Sequence, residues 1–114
     1  MTPTATLTAT ERRSAARRQP TIGTVCRFVS GPADGGVGLV WNISTGGVSM
    51  LFNEPIDRGV TFRGVLANSA SGFTLPVIVR ITHVARLQNG DYHIGGPFET
   101  PIAAHEMKRF LPHG

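Results

Sequence analysis

The sequence has little of what several protein classes depend on. Cys26 is the only cysteine among 114 residues, so neither an internal disulfide nor a cysteine-based zinc cluster can form, and a reducing compartment is indicated. No apolar run approaches the roughly 18 residues of a transmembrane helix. The first ten residues lack the basic and apolar segments of a signal peptide. These absences predict a cytoplasmic protein without a transmembrane segment.

Catalytic and metal-binding patterns are also missing from the sequence. The segment "NISTG" around Ser44 is not a G-x-S-x-G nucleophile elbow, and no residue is identified as its base. The four histidines show no metal-ligand spacing, so we expect them to cap, pack or face solvent; they are His83, His93, His105 and His113. Cys26 is expected to be a small buried hydrophobe. The sequence therefore predicts a protein that is not an enzyme and has neither a metal site nor a cofactor.

The positive charge of the chain is concentrated near its beginning. The net charge is +4. Residues 1–20 carry four arginines against Glu11, whereas residues 21–114 carry seven cations against six acids. Arginine provides ten of the eleven cations, and its planar guanidinium pairs bidentately with phosphate and stacks on bases. This distribution favours one discrete anionic ligand over an extended nucleic acid surface.

The rest of the chain has the pattern of a single all-β domain. Residues 1–10 are expected to be a disordered tail, and the arginine-rich segment spans residues 11–20. Turn clusters rich in Gly, Asn, Asp and Pro then separate six predicted strands, of which "QNGD" is the clearest hairpin turn. The strands are Thr21–Ser30, Val37–Ser44, Gly47–Asn53, Val60–Ala67, Phe73–Arg86 and Tyr92–Phe98.

Alternation along the strands predicts which side chains face the core. One face of the fifth strand is apolar from Phe73 to Ile81, and Pro76 on its other face indicates an edge strand or a bulge. In the second strand the same alternation places Val37, Leu39, Trp41 and Ile43 inside, together with Phe98 of the last strand. Asn42 and Ser44 are then expected to project away from the interior.

An apolar pattern of helical period follows the last strand and predicts a C-terminal helix within residues 100–111. Because six strands with one apolar face cannot leave their edges bare, the predicted architecture is a six-stranded antiparallel β-barrel over residues 21–98. The helix is expected to pack on the barrel, and a flexible N-terminal arm is expected to precede the barrel. A β-sandwich is the alternative.

Two short motifs resemble the signature of the PilZ domain family, RxxxR followed at a distance by (D/N)xSxxG. "RRSAAR" supplies Arg13 and Arg17, and after 24 intervening residues "NISTGG" supplies Asn42, Ser44 and Gly47. PilZ domains are cytoplasmic bacterial receptors for the second messenger cyclic di-GMP. The resemblance therefore implies a stand-alone PilZ domain at residues 11–114 that binds cyclic di-GMP and signals to a protein partner, as a monomer or a homodimer.

The residues in these motifs suit that ligand chemically. Guanidinium groups pair with phosphate and with the O6 and N7 of guanine, so Arg13 and Arg17 would clamp one nucleotide and become ordered on binding it. The Asn42 amide, the Ser44 hydroxyl and the backbone of Gly46 and Gly47 would form the opposing surface. The resemblance further implies that an arginine at the position of Arg12 accompanies two stacked ligands. We expect Arg12 to contact the second ligand, with Arg18 as a weaker candidate for its phosphate.

Two other functions are consistent with the sequence. The chain could be a PilZ-like adaptor that acts through protein contacts without nucleotide, although its intact motif residues argue against this. It could also be a small nucleic-acid-binding barrel that stacks bases in a cationic groove. The nearly neutral body and the lack of aromatic residues predicted to be exposed argue against that function, so no DNA or RNA partner is expected.

Overall fold

The computed structural model describes residues 23–31 and 33–111, and these form an all-β fold with one short helix. The seven strands are β1 (Thr24–Phe28), β2 (Val37–Ile43), β3 (Gly47–Phe52), β4 (Thr61–Asn68), β5 (Thr74–Arg80), β6 (His83–Arg86) and β7 (Tyr92–Pro97). The helix, α1, spans Ala104–Lys108. No described helix is long and apolar enough to cross a membrane.

The seven strands form one antiparallel sheet in the order β5-β4-β1-β2-β3-β7-β6. The two edge strands, β5 and β6, follow each other in the chain, so the sheet must curl back on itself. An isolated bridge between Val79 and Phe98 joins β5 to the segment after β7. The all-β prediction is confirmed, but the predicted closed six-stranded barrel is corrected to a seven-stranded half-barrel.

The additional strand arises because the predicted strand Phe73–Arg86 changes partner near its middle. Up to Arg80 the chain pairs with β4, and from His83 onward it pairs with β7. At the junction, Ile81 donates a backbone hydrogen bond to Val60 and Thr82 donates one to Gly95, at 2.8 and 2.9 Å. A continuous alternating pattern therefore covers two strands at opposite edges of the sheet.

Several predictions about this region are confirmed. Pro76 is exposed on the edge strand β5, where its missing N–H breaks no ladder on the open side. Val77, Val79 and Ile81 are buried, and Phe73 and Leu75 pack partly against the core. The "QNGD" turn joins β6 to β7: Gly90 has a φ of 94°, and the Leu87 N–H donates to the Asp91 carbonyl.

The core fills the concave side of the sheet, and its centre is aromatic. Phe28 packs between Phe52 and Phe62, with ring centroids 4.8 and 4.4 Å away. Cys26 is fully buried beside them, as predicted, and burial raises its pKa to about 12, so the thiol stays protonated and unreactive.

The predicted orientation of β2 is wrong over most of its length. Trp41 is 47% exposed, as are Val37 and Leu39 to a similar extent, whereas Val40 is buried. Gly38 faces the core because a Cβ there would lie 2.6 Å from the Met50 sulfur. Glycine and valine occur on both the core and the solvent face of a strand. Hydropathy alone therefore could not predict which alternating set of β2 residues faces the core.

The C-terminal helix is shorter than the predicted range of residues 100–111. It begins after Ala103, whose N–H donates to the Glu106 carboxylate at 2.9 Å. Met107 is its buried residue, and the following Phe110 and Leu111 continue into the core. Phe110 contacts Phe73 at a centroid distance of 5.2 Å, so this segment covers the end of the sheet at β5.

Candidate functional site

The motif residues Asn42–Gly47 form the tight connection between β2 and β3. The Ser44 N–H donates to the Gly47 carbonyl at 2.9 Å, which closes the turn. The Ser44 hydroxyl oxygen accepts hydrogen bonds from the backbone N–H groups of Gly46 and Gly47, both at 3.1 Å. These hydrogen bonds, all within residues 44–47, hold the turn together.

The Ser44 hydroxyl is used within the turn and is not left open to a ligand. The sequence predicts that Ser44 projects away from the interior, and in the structure the residue is only 7% exposed. Its own proton is directed to the Gly47 carbonyl at 3.4 Å. The physical reason is that the glycine N–H groups of the turn need an acceptor, and a serine hydroxyl two or three residues earlier supplies one. Ser44 shapes the loop from within.

The two glycines of the loop have different surroundings. A Cβ on Gly47 would lie 2.6 Å from the carbonyl oxygen of Gly96, so the backbones of β3 and β7 approach closely at this point. A Cβ on Gly46 would meet only the Ser44 hydroxyl, at 3.9 Å. The absence of a side chain is therefore required by packing at Gly47 alone.

Two further hydrogen bonds anchor the loop to the segment that follows β7. The Gly46 carbonyl accepts from the Phe98 N–H at 2.8 Å, and the Thr45 carbonyl accepts from the Ile102 N–H at 2.9 Å. Both carbonyls are therefore occupied, and the loop has a fixed position relative to α1.

Asn42 is half-buried and lies on the convex face of the sheet. It stands opposite Ser49 on β3, which in turn stands opposite Gly95 on β7 and then His83 on β6. Val48 and Met50 are both in the core, so Ser49 between them faces the convex side. Of the predicted site residues that the structure describes, Asn42 is the side chain presented to this face.

The structure brings together two histidines for which the sequence predicts no functional site. His83 Nε2 lies 3.3 Å from His93 Nδ1, and the rings meet edge to face. Burial, and then the neighbouring His83, lower the pKa of His93. The hairpin turn between β6 and β7 was the available signal, because counting back from it places both residues on one face.

The predicted arginine clamp lies outside the described residues, which begin at Gly23. Its members, Arg12, Arg13, Arg17 and Arg18, therefore stay sequence predictions. Among residues 23–31 and 33–111, no three His, Cys, Asp or Glu side chains gather as ligands for a metal ion.

A separate groove of about 430 Å³ lies between β4, β5 and the segment leading to α1. Its lining includes Arg63, Leu75, Pro76, Ile78, Ile102 and Glu106. It shares no described lining residue with the motif loop, and the Ile102 N–H on its rim donates to the Thr45 carbonyl of that loop. Of the predicted ligand residues that the structure describes, none lines this groove.

The fold is similar to those of two solved proteins. The structure of the Bacillus subtilis inhibitor of motility, MotI/DgrA, matches 88% of this chain with a TM-score of 0.61 and 16% identity. K. pneumonia MrkH matches 87% of it, with a TM-score of 0.67 for the MrkH-c-di-GMP complex and 0.63 for the apo state, at 16% and 18% identity. The fold is that of a PilZ-like domain.

These likenesses concern the fold, because the identities are low. The chain spans about half the length of each of these proteins, at 48%, 49% and 47%. The sequence matches no protein-family model, and a search of curated proteins finds no related sequence. The PilZ-like resemblance drawn from the two short motifs is thus confirmed at the level of the fold.

Proposed function

We propose that this chain is a non-enzymatic receptor for cyclic di-GMP. Arg13 and Arg17 bind the phosphates and a guanine of the ligand, and the convex face at Asn42 receives the nucleotide from the other side. The arginine segment becomes ordered on the ligand, and the closed form is recognised by a protein partner.

The observation that carries this proposal is the geometry of the loop Asn42–Gly47. Its serine and glycines hold one another in a fixed turn, and Asn42 stands half-exposed at its start. A rigid turn with a presented amide binds a base edge without a large ordering penalty. A protein of the same fold, K. pneumonia MrkH, has been solved as a complex with c-di-GMP.

Within this proposal the motif residues have different roles. Asn42 contacts the ligand, because its amide has both donors and an acceptor at the convex face. Ser44 and Gly47 position the loop, and Gly46 leaves its surface open to a close approach by the ligand. The two arginines supply the positive charge that the nearly neutral sheet lacks.

The adaptor and nucleic-acid functions are outcomes of the same test. Half-exposed Trp41 removes one argument against nucleic acid binding, namely the lack of an exposed aromatic residue. The argument from charge is unchanged, since residues 21–114 carry seven cations and six acids. A polyanion gains little from such a surface, whereas a small ligand held by the arginine segment does not need a basic surface.

The deciding experiment is calorimetric titration of the full chain with cyclic di-GMP and with a single-stranded oligonucleotide, each at two salt concentrations. We expect saturable binding of cyclic di-GMP and no oligonucleotide binding that survives the higher salt. Binding of neither ligand would support the nucleotide-independent adaptor. Oligonucleotide binding that falls steeply with salt, without binding of cyclic di-GMP, would support the nucleic-acid function.

A further inference from the structure

Trp41 is the only tryptophan of the chain, and its side chain is 47% exposed on the convex face of the sheet. Single exposed hydrophobic residues are ordinary on protein surfaces, so the exposure by itself assigns no role. The position of Trp41 directly beside Asn42 is what indicates a role.

A β-bulge places these two side chains together. In the pairing of β2 with β3, Val40 stands opposite Met50 and Asn42 stands opposite Ser49, so Trp41 is an extra residue. Val40 and Ile43 are both buried, although an uninterrupted strand would direct them to opposite faces. The two residues between them, Trp41 and Asn42, are therefore both left on the convex face. Bulges re-aim side chains in this way and are common next to functional sites.

The residues that follow Asn42 across the sheet on the β3 side are small. Ser49 and Gly95 follow Asn42 across the sheet, and both are buried. A Cβ on Gly95 would come within 2.9 Å of the Ser49 Cβ, so packing keeps this position free of a side chain. On the β3 side of Asn42, the nearest described positions across the sheet therefore carry no bulky side chain.

Ser49 adds an independent polar observation. Its side chain is 4% exposed, and its hydroxyl has no hydrogen-bond partner among the described residues. An unpaired buried hydroxyl costs free energy, and such groups are rare unless a ligand or water satisfies them. This hydroxyl lies in the pair position directly opposite Asn42.

Recognition of an unpaired base combines a stacking surface for its ring with hydrogen bonds to its edge. The bulge supplies both from adjacent residues: the indole of Trp41 offers the plane, and the amide of Asn42 offers donors and an acceptor. We propose that Trp41 is a ligand-binding residue on which one guanine of cyclic di-GMP stacks while Asn42 binds the edge of that base. This inference rests on the proposed function.

The test uses the fluorescence of the full-length protein, in which every tryptophan signal comes from Trp41. We expect cyclic di-GMP to quench it, with a half-saturation point that matches calorimetry on the same sample. Trp41→Ala should weaken calorimetric binding by roughly 5- to 150-fold, the range for loss of one base-stacking contact, and Trp41→Phe should retain most of the affinity because it keeps an aromatic plane.

Leu39→Ala is the matched control, because Leu39 is equally exposed at 47% and lies on the same face two residues earlier. It should leave the affinity unchanged. If wild type binds cyclic di-GMP but its fluorescence and the affinity of Trp41→Ala stay unaltered, Trp41 has no stacking role and the proposed receptor function stands. Equal weakening by Trp41→Ala and Leu39→Ala would also overturn the stacking role.

Two further outcomes distinguish the loss of stacking from a failure of the receptor function and from misfolding of the variant. If wild type does not bind cyclic di-GMP at all, the proposed function and the stacking role both fall. If Trp41→Ala is poorly folded by circular dichroism, Trp41→Phe and Trp41→Leu are compared instead. A stacking role requires the leucine variant to bind several-fold more weakly than the phenylalanine variant.

Discussion

The hydroxyl oxygen of Ser44 lies 3.1 Å from the backbone nitrogen of Gly47 and accepts its hydrogen bond. The same glycine has its α-carbon against the carbonyl of Gly96, where no side chain fits. The serine and the final glycine of the motif therefore act on one structural feature, the shape of the loop. Asn42 is left as the motif side chain on the convex face.

Ser44→Ala should destabilise the folded protein by about 1–3 kcal/mol, because two backbone N–H groups in a partly buried turn lose their acceptor. Urea unfolding of the two proteins measures this difference. Ser69→Ala is the control, since Ser69 is exposed in another turn and should change stability little. Equal midpoints for Ser44→Ala and wild type would show that the hydroxyl does not hold the loop.

Gly47→Ala and Gly46→Ala should differ although they are adjacent and make the same chemical change. The new methyl group would lie 2.6 Å from a carbonyl oxygen at position 47 and 3.9 Å from its nearest neighbour at position 46. We expect a loss of about 1–3 kcal/mol for Gly47→Ala and little change for Gly46→Ala. Thermal unfolding of both variants checks this, and similar melting temperatures would contradict the close approach.

Stability should fall as the pH drops below about 6.5, in part because of His93. Burial and the facing His83 lower its pKa in the folded state, so the unfolded chain binds the proton first. The contribution is fully present above the unfolded pKa near 6.5 and is lost as the pH falls through the lower folded pKa.

Urea unfolding at about pH 8 and about pH 5 tests this with His93→Gln, which should show a smaller difference between the two pH values than wild type. His105→Gln is the control, because His105 is exposed on α1. An unchanged pH dependence in His93→Gln would remove the histidine pair from the explanation.

The sequence predicted best where alternation was unambiguous and where turn residues marked the ends of strands. In the run from Phe73 to Ile81 every second residue is a large apolar one, so the core face of the strand was predictable, and Pro76 indicated an edge. β2 was not, because Gly38 and Val40 suit either face and the bulge at Trp41 reverses the phase part-way. Which face of β2 packs on the core depends on contacts such as that between Gly38 and Met50, a residue of another strand.

In the candidate site, too, some features were predictable from the sequence and others were not. Local motif spacing located the loop Asn42–Gly47. The low exposure of Ser44 was not predicted, because it depends on the hydrogen bonds that its hydroxyl makes within the turn. The placement of Trp41 depends on the register between β2 and β3, which no spacing within one strand reveals.

Arg17→Ala should abolish most cyclic di-GMP binding and leave the melting temperature of the ligand-free protein almost unchanged. The guanidinium is predicted to bind the ligand and lies outside the predicted core, so its loss removes ligand contacts and little packing. Arg58→Ala, at an exposed arginine between β3 and β4, is the control and should bind normally. Unimpaired titration of Arg17→Ala would exclude the arginine clamp from the mechanism.

The number of ligands bound should depend on Arg12, the residue directly before the RxxxR pair. Two stacked cyclic di-GMP molecules carry four phosphate charges and expose an additional guanine face. A third guanidinium both offsets that charge and stacks on the base. We therefore predict two ligands per chain in calorimetry, with Arg18 as a weaker phosphate contact.

Arg12→Ala should lower the stoichiometry from two to one while the first ligand still binds, because Arg13 and Arg17 remain. Arg58→Ala should keep the wild-type ratio, which separates a specific contact from the general loss of one positive charge. A wild-type ratio of one would show that Arg12 does not set the stoichiometry. An unchanged ratio of two in Arg12→Ala would assign the second ligand to other residues, and Arg18→Ala would then be the next variant to titrate.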